Sequence, residues 1–177
     1  MESSQIVLKL VLDEIGLQPQ VSTFPERLSI QKTIYLTQLT GLDLGYRFSW
    51  YIHGPYCREL TSDAFQLVEA LESNESVPGD RPLNPLAREF AGKARTIWEN
   101  QPSHIASSEW LELLASLHYL KHIVYWPGAQ RPREFDVVFA ALVKSKPRFE
   151  GNRAETLLAW DRLGQVGLLD HKVMARP

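Results

Sequence analysis

Tyr51, His53, Tyr56, Cys57 and Arg58 crowd into one short stretch, and their types suggest three chemistries. A cysteine nucleophile needs a base within hydrogen-bond reach, and His53 precedes Cys57 closely enough to supply one. No third residue to orient the base and no set of oxyanion donors accompanies the pair. An unpaired cysteine is most often a small buried hydrophobe, so a Cys–His enzyme is the weaker reading and no catalytic residue is assigned. The amides following Gly54-Pro55 offer an anion site if a helix starts there, because its first N–H groups are unpaired, with Lys32 and Arg58 in support. The simpler reading is a corner that reverses the chain, with Arg58 paired to Glu59 or Asp63.

The five histidines are scattered, except that His118 and His122 stand four apart and share a helix face. Two ring nitrogens at that spacing suit a metal, but the intervening residues lack the Glu of the metalloprotease order. Leucines on either side favour a helix flank at the core edge. No metal and no cofactor is expected, since no phosphate loop, dinucleotide fingerprint or paired-carboxylate motif is present.

A second basic cluster, Lys144, Lys146, Arg148, Arg153 and Arg162, surrounds the last two helices. The segment Thr156–Leu169 has the pattern of the second helix and following strand of a winged helix-turn-helix, with Lys146, Arg148, Arg153 and Arg162 available to DNA phosphates. Glu150, Glu155 and Asp161 interrupt that charge. Helix-turn-helix folds also serve as protein-binding scaffolds.

These residues need a frame. With 177 residues, 44% hydrophobic and 23% charged, the chain is an ordinary globular protein with one core or two lobes. A net charge of −2 argues against a protein coated in nucleic acid. One cysteine precludes an internal disulfide and fits a reducing cytoplasm. No apolar run approaches the roughly 20 residues of a membrane span, and the N-terminus lacks a signal-peptide pattern.

The spacing of apolar residues predicts a mainly α fold: about seven helices with a small two-stranded β element. Ser3 or Ser4 is expected to cap the first helix, ending at Gly16. The second, near Glu26–Thr40, is apolar on two sides and so is expected between neighbours, its Gln31 and Gln38 bonding packed backbone or lining a pocket. Tyr46–His53 alternates as a strand, expected to pair with Val166–Met174; pairing with a second copy, making a homodimer, is the alternative. A helix beginning at Pro55 or Ser62 follows, then a linker at Asn74–Arg81 that divides lobes 1–76 and 82–177 of a single domain. Asn84-Pro85 and Ser107 or Ser108 open two more helices. In the second of these, Glu109 and Glu112 suit the positive end. Trp126–Gly128 breaks that helix, and Asn152 with Glu155 has the form of a capping box for the last.

The arrangement Arg27-Leu-x-x-Gln31-Lys32-x-Ile34-Tyr35, then the strand, then Tyr51-x-His53-Gly54-Pro55-Tyr56-x-x-Glu59-Leu60 resembles the YwgA-like proteins of bacteria and archaea. A more distant likeness runs to the Panacea or SocA-like antitoxin domain, a protein-binding regulator. The resemblance implies that Gln31, Lys32, Tyr35, Gly54 and Pro55 are signature residues with a structural role. It further implies a non-enzymatic regulatory or adaptor protein of the toxin–antitoxin or phage-defence type, whose partner is a toxin or defence effector. Exposed Trp50, Tyr51 and Tyr56 are the expected anchors, with Arg27, His53 and Arg58 beside them. A DNA-binding regulator is the alternative.

Overall fold

The computed structural model describes residues 2–73, 82–124 and 133–170. They form seven α-helices, a two-stranded antiparallel sheet and one 3-10 turn. In chain order these are α1 (Ser3–Ile15), α2 (Phe24–Gln38), β1 (Ser49–Tyr51), β2 (Gly54–Tyr56), α3 (Arg58–Glu72), α4 (Pro85–Trp98), α5 (Ser107–His122), α6 (Phe135–Ser145), the turn Pro147–Phe149, and α7 (Arg153–Gln165). The fold is mainly α with a small β element. None of the helices is long and apolar enough to cross a membrane.

Helix ends follow local chemistry, though not always at the expected residue. Gln5 Oε1 accepts from the Glu2 amide at 2.9 Å, so α1 is capped one residue before Ser3. Thr23 and Glu26 form a reciprocal box at the start of α2, with Pro25 inside the first turn. Asn84 accepts from the Ala87 amide at 2.8 Å, as Asn before Pro at a helix start should. The box expected at Asn152 does not form, because the Asn152 side chain makes no cap bond.

Two buried clusters make the core. One joins α1 and α3 through Leu8, Val11, Leu12, Leu60 and Leu67 to Ile30 and Ile34 of α2. The other joins Tyr35, Leu36 and Leu39 of α2 to α5, α6 and α7. Helix α2 therefore contributes to both, with Phe48 and Trp98 packed against each. Helix α5 is buried from Trp110 to Lys121 and packs on α2, α6, α7 and β2. A helix covered on all sides has no room for a polar residue without a partner, and α5 carries several.

The strand pairing departs from expectation. β1 pairs with β2 across a tight hairpin, in the register Ser49–Tyr56, Trp50–Pro55 and Tyr51–Gly54. The expected partner does not form a strand where it is described: residues 166–170 are turns and a bend, and 171–174 lie outside the described residues. So do the linker residues 74–81 and the break at 126–128. Gly54-Pro55 is thus the start of β2, and α3 opens after Cys57 rather than at Pro55 or Ser62. Gly54 has φ of +86°, a conformation that side chains other than glycine resist. Pro55 lacks an N–H, which an edge position in a two-stranded ribbon tolerates.

Candidate functional site

The signature residues of α2 and the hairpin come together, and each does a definable job. Gln31 holds the end of β2: its Nε2 donates to the Cys57 carbonyl at 2.8 Å and its Oε1 accepts from the Cys57 amide at 2.9 Å. Gln38 does the same for the approach to β1, donating to Tyr46 O and accepting from the Leu44 and Tyr46 amides. Both glutamines bond packed backbone, the first of the two expectations for them. Arg27 secures the preceding loop by donating to Val21 O at 2.7 Å and Ser22 O at 3.1 Å.

Lys32 is almost wholly buried and donates to the Pro55 carbonyl at 2.6 Å. Behind it lies Glu112 of α5, a carboxylate with 1% of its side chain exposed. Lys146, from the end of α6, donates to Glu112 Oε1 at 2.6 Å and to Ser116 Oγ at 3.0 Å. The Arg148 guanidinium faces Glu112 Oε2, and His53 Nδ1 lies 3.7 Å from Oε1. Trp50 covers the group, with the Lys146 ammonium 5.2 Å from its ring centroid and Tyr119 stacked behind it. Three elements thus place basic groups around one carboxylate, beneath the hairpin.

Electrostatics follow from this burial. The Lys32 ammonium is pushed down to about 7 by burial and the neighbouring Lys146, against the pull of Glu112. Burial brings Lys146 down to about 8, opposed by Glu112. Burial would raise the Glu112 carboxyl, but Arg148 and Lys146 outweigh it and hold the group below the usual carboxylate range. Burial also lowers His53, despite Glu112 beside it. The Ser116–Lys146 contact has the atoms of a serine–lysine pair, yet Ser116 is fully buried and Lys146 is already committed to Glu112.

A second buried pair lies next to this group. Tyr35 Oη and His118 Nδ1 are 2.7 Å apart, both inside the core. Burial raises Tyr35 well above its ordinary value and brings His118 down to about 3, with His122 adding to the second shift. Tyr35 therefore keeps its proton and the imidazole beside it is neutral. His122 Nε2 lies 2.9 Å from Leu168 O, so both histidines of the expected pair are engaged with protein groups.

Cys57 is buried, and its Sγ donates to Glu59 at 3.2 Å, with burial raising the thiol. Raising the thiol diminishes the thiolate that a nucleophile requires. Of the expected aromatic anchors, Tyr51 is exposed, whereas Trp50 and Tyr56 are half-buried. Tyr56 accepts from Thr61 and packs against the Tyr51 ring. Arg58 is exposed at the first turn of α3; Glu59 bonds Cys57, and Asp63 accepts from Tyr46 Oη.

The basic residues expected to face DNA engage different elements. Lys146 is inside, and Arg148 is half-exposed on Glu112. Arg153 pairs with Asp136 and lies over the Phe135 and Phe139 rings. Arg162 donates to the carbonyls of Thr96 and Ile97 at the end of α4.

No family model, curated protein or solved structure matches the chain. Its site is read from its own geometry. The residues that sequence reasoning missed are Glu112 and Ser116. Their signal was available: they stand four apart on a helix dense in leucine, where a polar residue turned inward needs a partner.

Proposed function

We propose that this chain is a regulatory adaptor acting by protein–protein contact, of the kind found in toxin–antitoxin or phage-defence systems. The observation that carries the reading is the hairpin tip. Tyr51 and Ile52 are 58% and 67% exposed, and Phe24, 48% exposed, lies against His53 at a ring distance of 4.7 Å. Exposed large apolar side chains on a hairpin turn and the helix end beside it are what a protein interface uses as anchors. The hairpin beneath them is fixed by Gln31, Lys32 and the Glu112 group, so little ordering is required on binding. The sequence resemblance to YwgA-like and antitoxin-domain proteins, which runs through Gln31, Lys32, Tyr51, Gly54 and Pro55, points to the same reading.

The test is an affinity pull-down from the native host, with and without nuclease, using the wild-type chain and a Tyr51→Ala/Ile52→Ser variant. A nuclease-insensitive protein captured by the wild type and lost by the variant is the expected result. Material that disappears on nuclease treatment would instead favour the DNA-binding alternative.

A further inference from the structure

The cluster under the hairpin is not balanced in charge. Lys146 and Arg148 both pair with Glu112, the one carboxylate in contact with the group among the described residues, and Lys32 lies within its field. Among the described residues Lys32 makes no ion pair and donates to a single carbonyl, although an ammonium carries three N–H donors. Lys32 meets the cost of burial by losing its proton near pH 7, so the excess positive charge rests on Lys146 and Arg148, two cations on one carboxylate, and this favours an added anion.

The cluster also has an open side. Arg148 and His53 keep 50% and 38% of their side chains exposed while touching Glu112 from outside. Phe24 packs on His53, and Tyr51 and Ile52 belong to the same turn. The half-exposed Arg148 guanidinium is therefore the cation of this mouth, and His53, which burial holds below its ordinary value, links it to the exposed apolar groups of the turn.

We infer that this surface receives an acidic segment of a protein partner, an Asp or Glu carboxylate at Arg148 with an adjacent apolar side chain on Tyr51 and Ile52. The inference rests on the adaptor reading and adds the chemistry of the partner. Charge complementarity selects the carboxylate. The neighbouring apolar groups distinguish a peptide from a bare anion or a nucleic-acid backbone, which would leave Tyr51 and Ile52 uncovered.

The experiment pans a displayed library of random peptides of about twelve residues against the whole chain, a length that spans a turn of this size. Enriched peptides are then synthesised and their affinities measured by fluorescence anisotropy. Peptides with an acidic residue next to an aromatic or aliphatic one should emerge, and their affinity should fall with salt. Arg148→Glu should weaken them at least about tenfold, as loss of a charge pair at an interface does. Changing the peptide acid to Lys should weaken binding to the wild type and recover part of it on the Arg148→Glu chain. Circular dichroism verifies folding, and Arg148→Gln, which adds no repulsion towards Glu112, should give a smaller loss in the same direction. Peptides that depend on Tyr51 and Ile52 but carry no acid would overturn this inference and leave the adaptor reading standing. Absence of any hairpin-dependent peptide would overturn both. A DNA duplex that binds through Arg148, with no acidic peptide enriched, would overturn the inference in favour of phosphate.

Discussion

Glu112 and Lys146 stand 34 positions apart in the chain and meet at 2.6 Å with 1% and 2% of their side chains exposed. Removing one partner from such a pair strands the other charge in the interior. Glu112→Ala should therefore cost about 3–5 kcal/mol in urea denaturation. Replacing both members by apolar residues, Glu112→Leu with Lys146→Met, should cost less than Glu112→Ala alone. A larger loss in the double variant would mean that the pair acts chiefly by shape rather than by charge.

Acid should weaken the fold through His118. Its folded value, about 3, is below the 6.5 of an ordinary histidine, so between these pH values the unfolded chain binds a proton that the folded chain does not. The contribution of His118 is thus fully present above pH 6.5 and is lost as pH falls towards 3, with a slope approaching roughly 1.4 kcal/mol per pH unit. Tyr35 on Nδ1 and the His122 ring at 4.8 Å are the titratable neighbours, and neither offers a counter-anion. Glu112, also depressed, adds its own loss below the ordinary carboxylate value of 4.5. Denaturation at a series of pH values should show a flatter profile between 6.5 and 4.5 for His118→Gln. An unchanged slope would place the acid sensitivity elsewhere.

Gly54 is constrained twice. A Cβ there would lie 2.4 Å from Ser116 Oγ and 3.2 Å from Lys146 Nζ, in a backbone conformation with φ of +86°. The left-handed conformation alone costs about 1–2 kcal/mol for an L residue. Ser116 can rotate its hydroxyl away only by giving up its bond to Lys146. Gly54→Ala should consequently destabilise the wild type by more than it destabilises a Ser116→Ala chain, while remaining unfavourable in both. Thermal melts of the four proteins measure the difference.

Gln31 bonds both the amide and the carbonyl of Cys57, and an apolar replacement takes the acceptor from the buried amide while the carbonyl keeps the Thr61 amide and hydroxyl. Gln31→Leu should cost about 1–3 kcal/mol. Hydrogen exchange gives a local readout: the Cys57 amide should be protected in the wild type and exchange much faster in the variant. Equal protection in both would show that another acceptor takes over.

Much of the helical frame was legible because apolar residues recur at helical spacing and because caps such as Asn84-Pro85 are local signals. Burial of α2 on two sides was legible for the same reason. The β pairing was not. Tyr46–His53 alternates over eight residues, but only Ser49–Tyr51 pairs, and its partner begins with Gly-Pro, a sequence that ordinarily ends a strand. Val166–Met174 offered better strand formers, and only tertiary packing decides between them. The charged cluster was illegible for a different reason. Near a helix start, Glu112 satisfies the dipole argument without any burial, and Lys146 beside Arg148 has the composition of a phosphate-binding patch. Nothing local tells a surface cation from one that is folded under a hairpin.

The sharing of α2 between two cores also bears on how the chain acquires its structure during synthesis. While the ribosome is still making residues beyond α3, the Ile30 and Ile34 side can already dock on α1 and α3. The Tyr35, Leu36 and Leu39 side must stay uncovered until α5 emerges. A nascent chain at that stage exposes an apolar helix face, the kind of surface that chaperones shield.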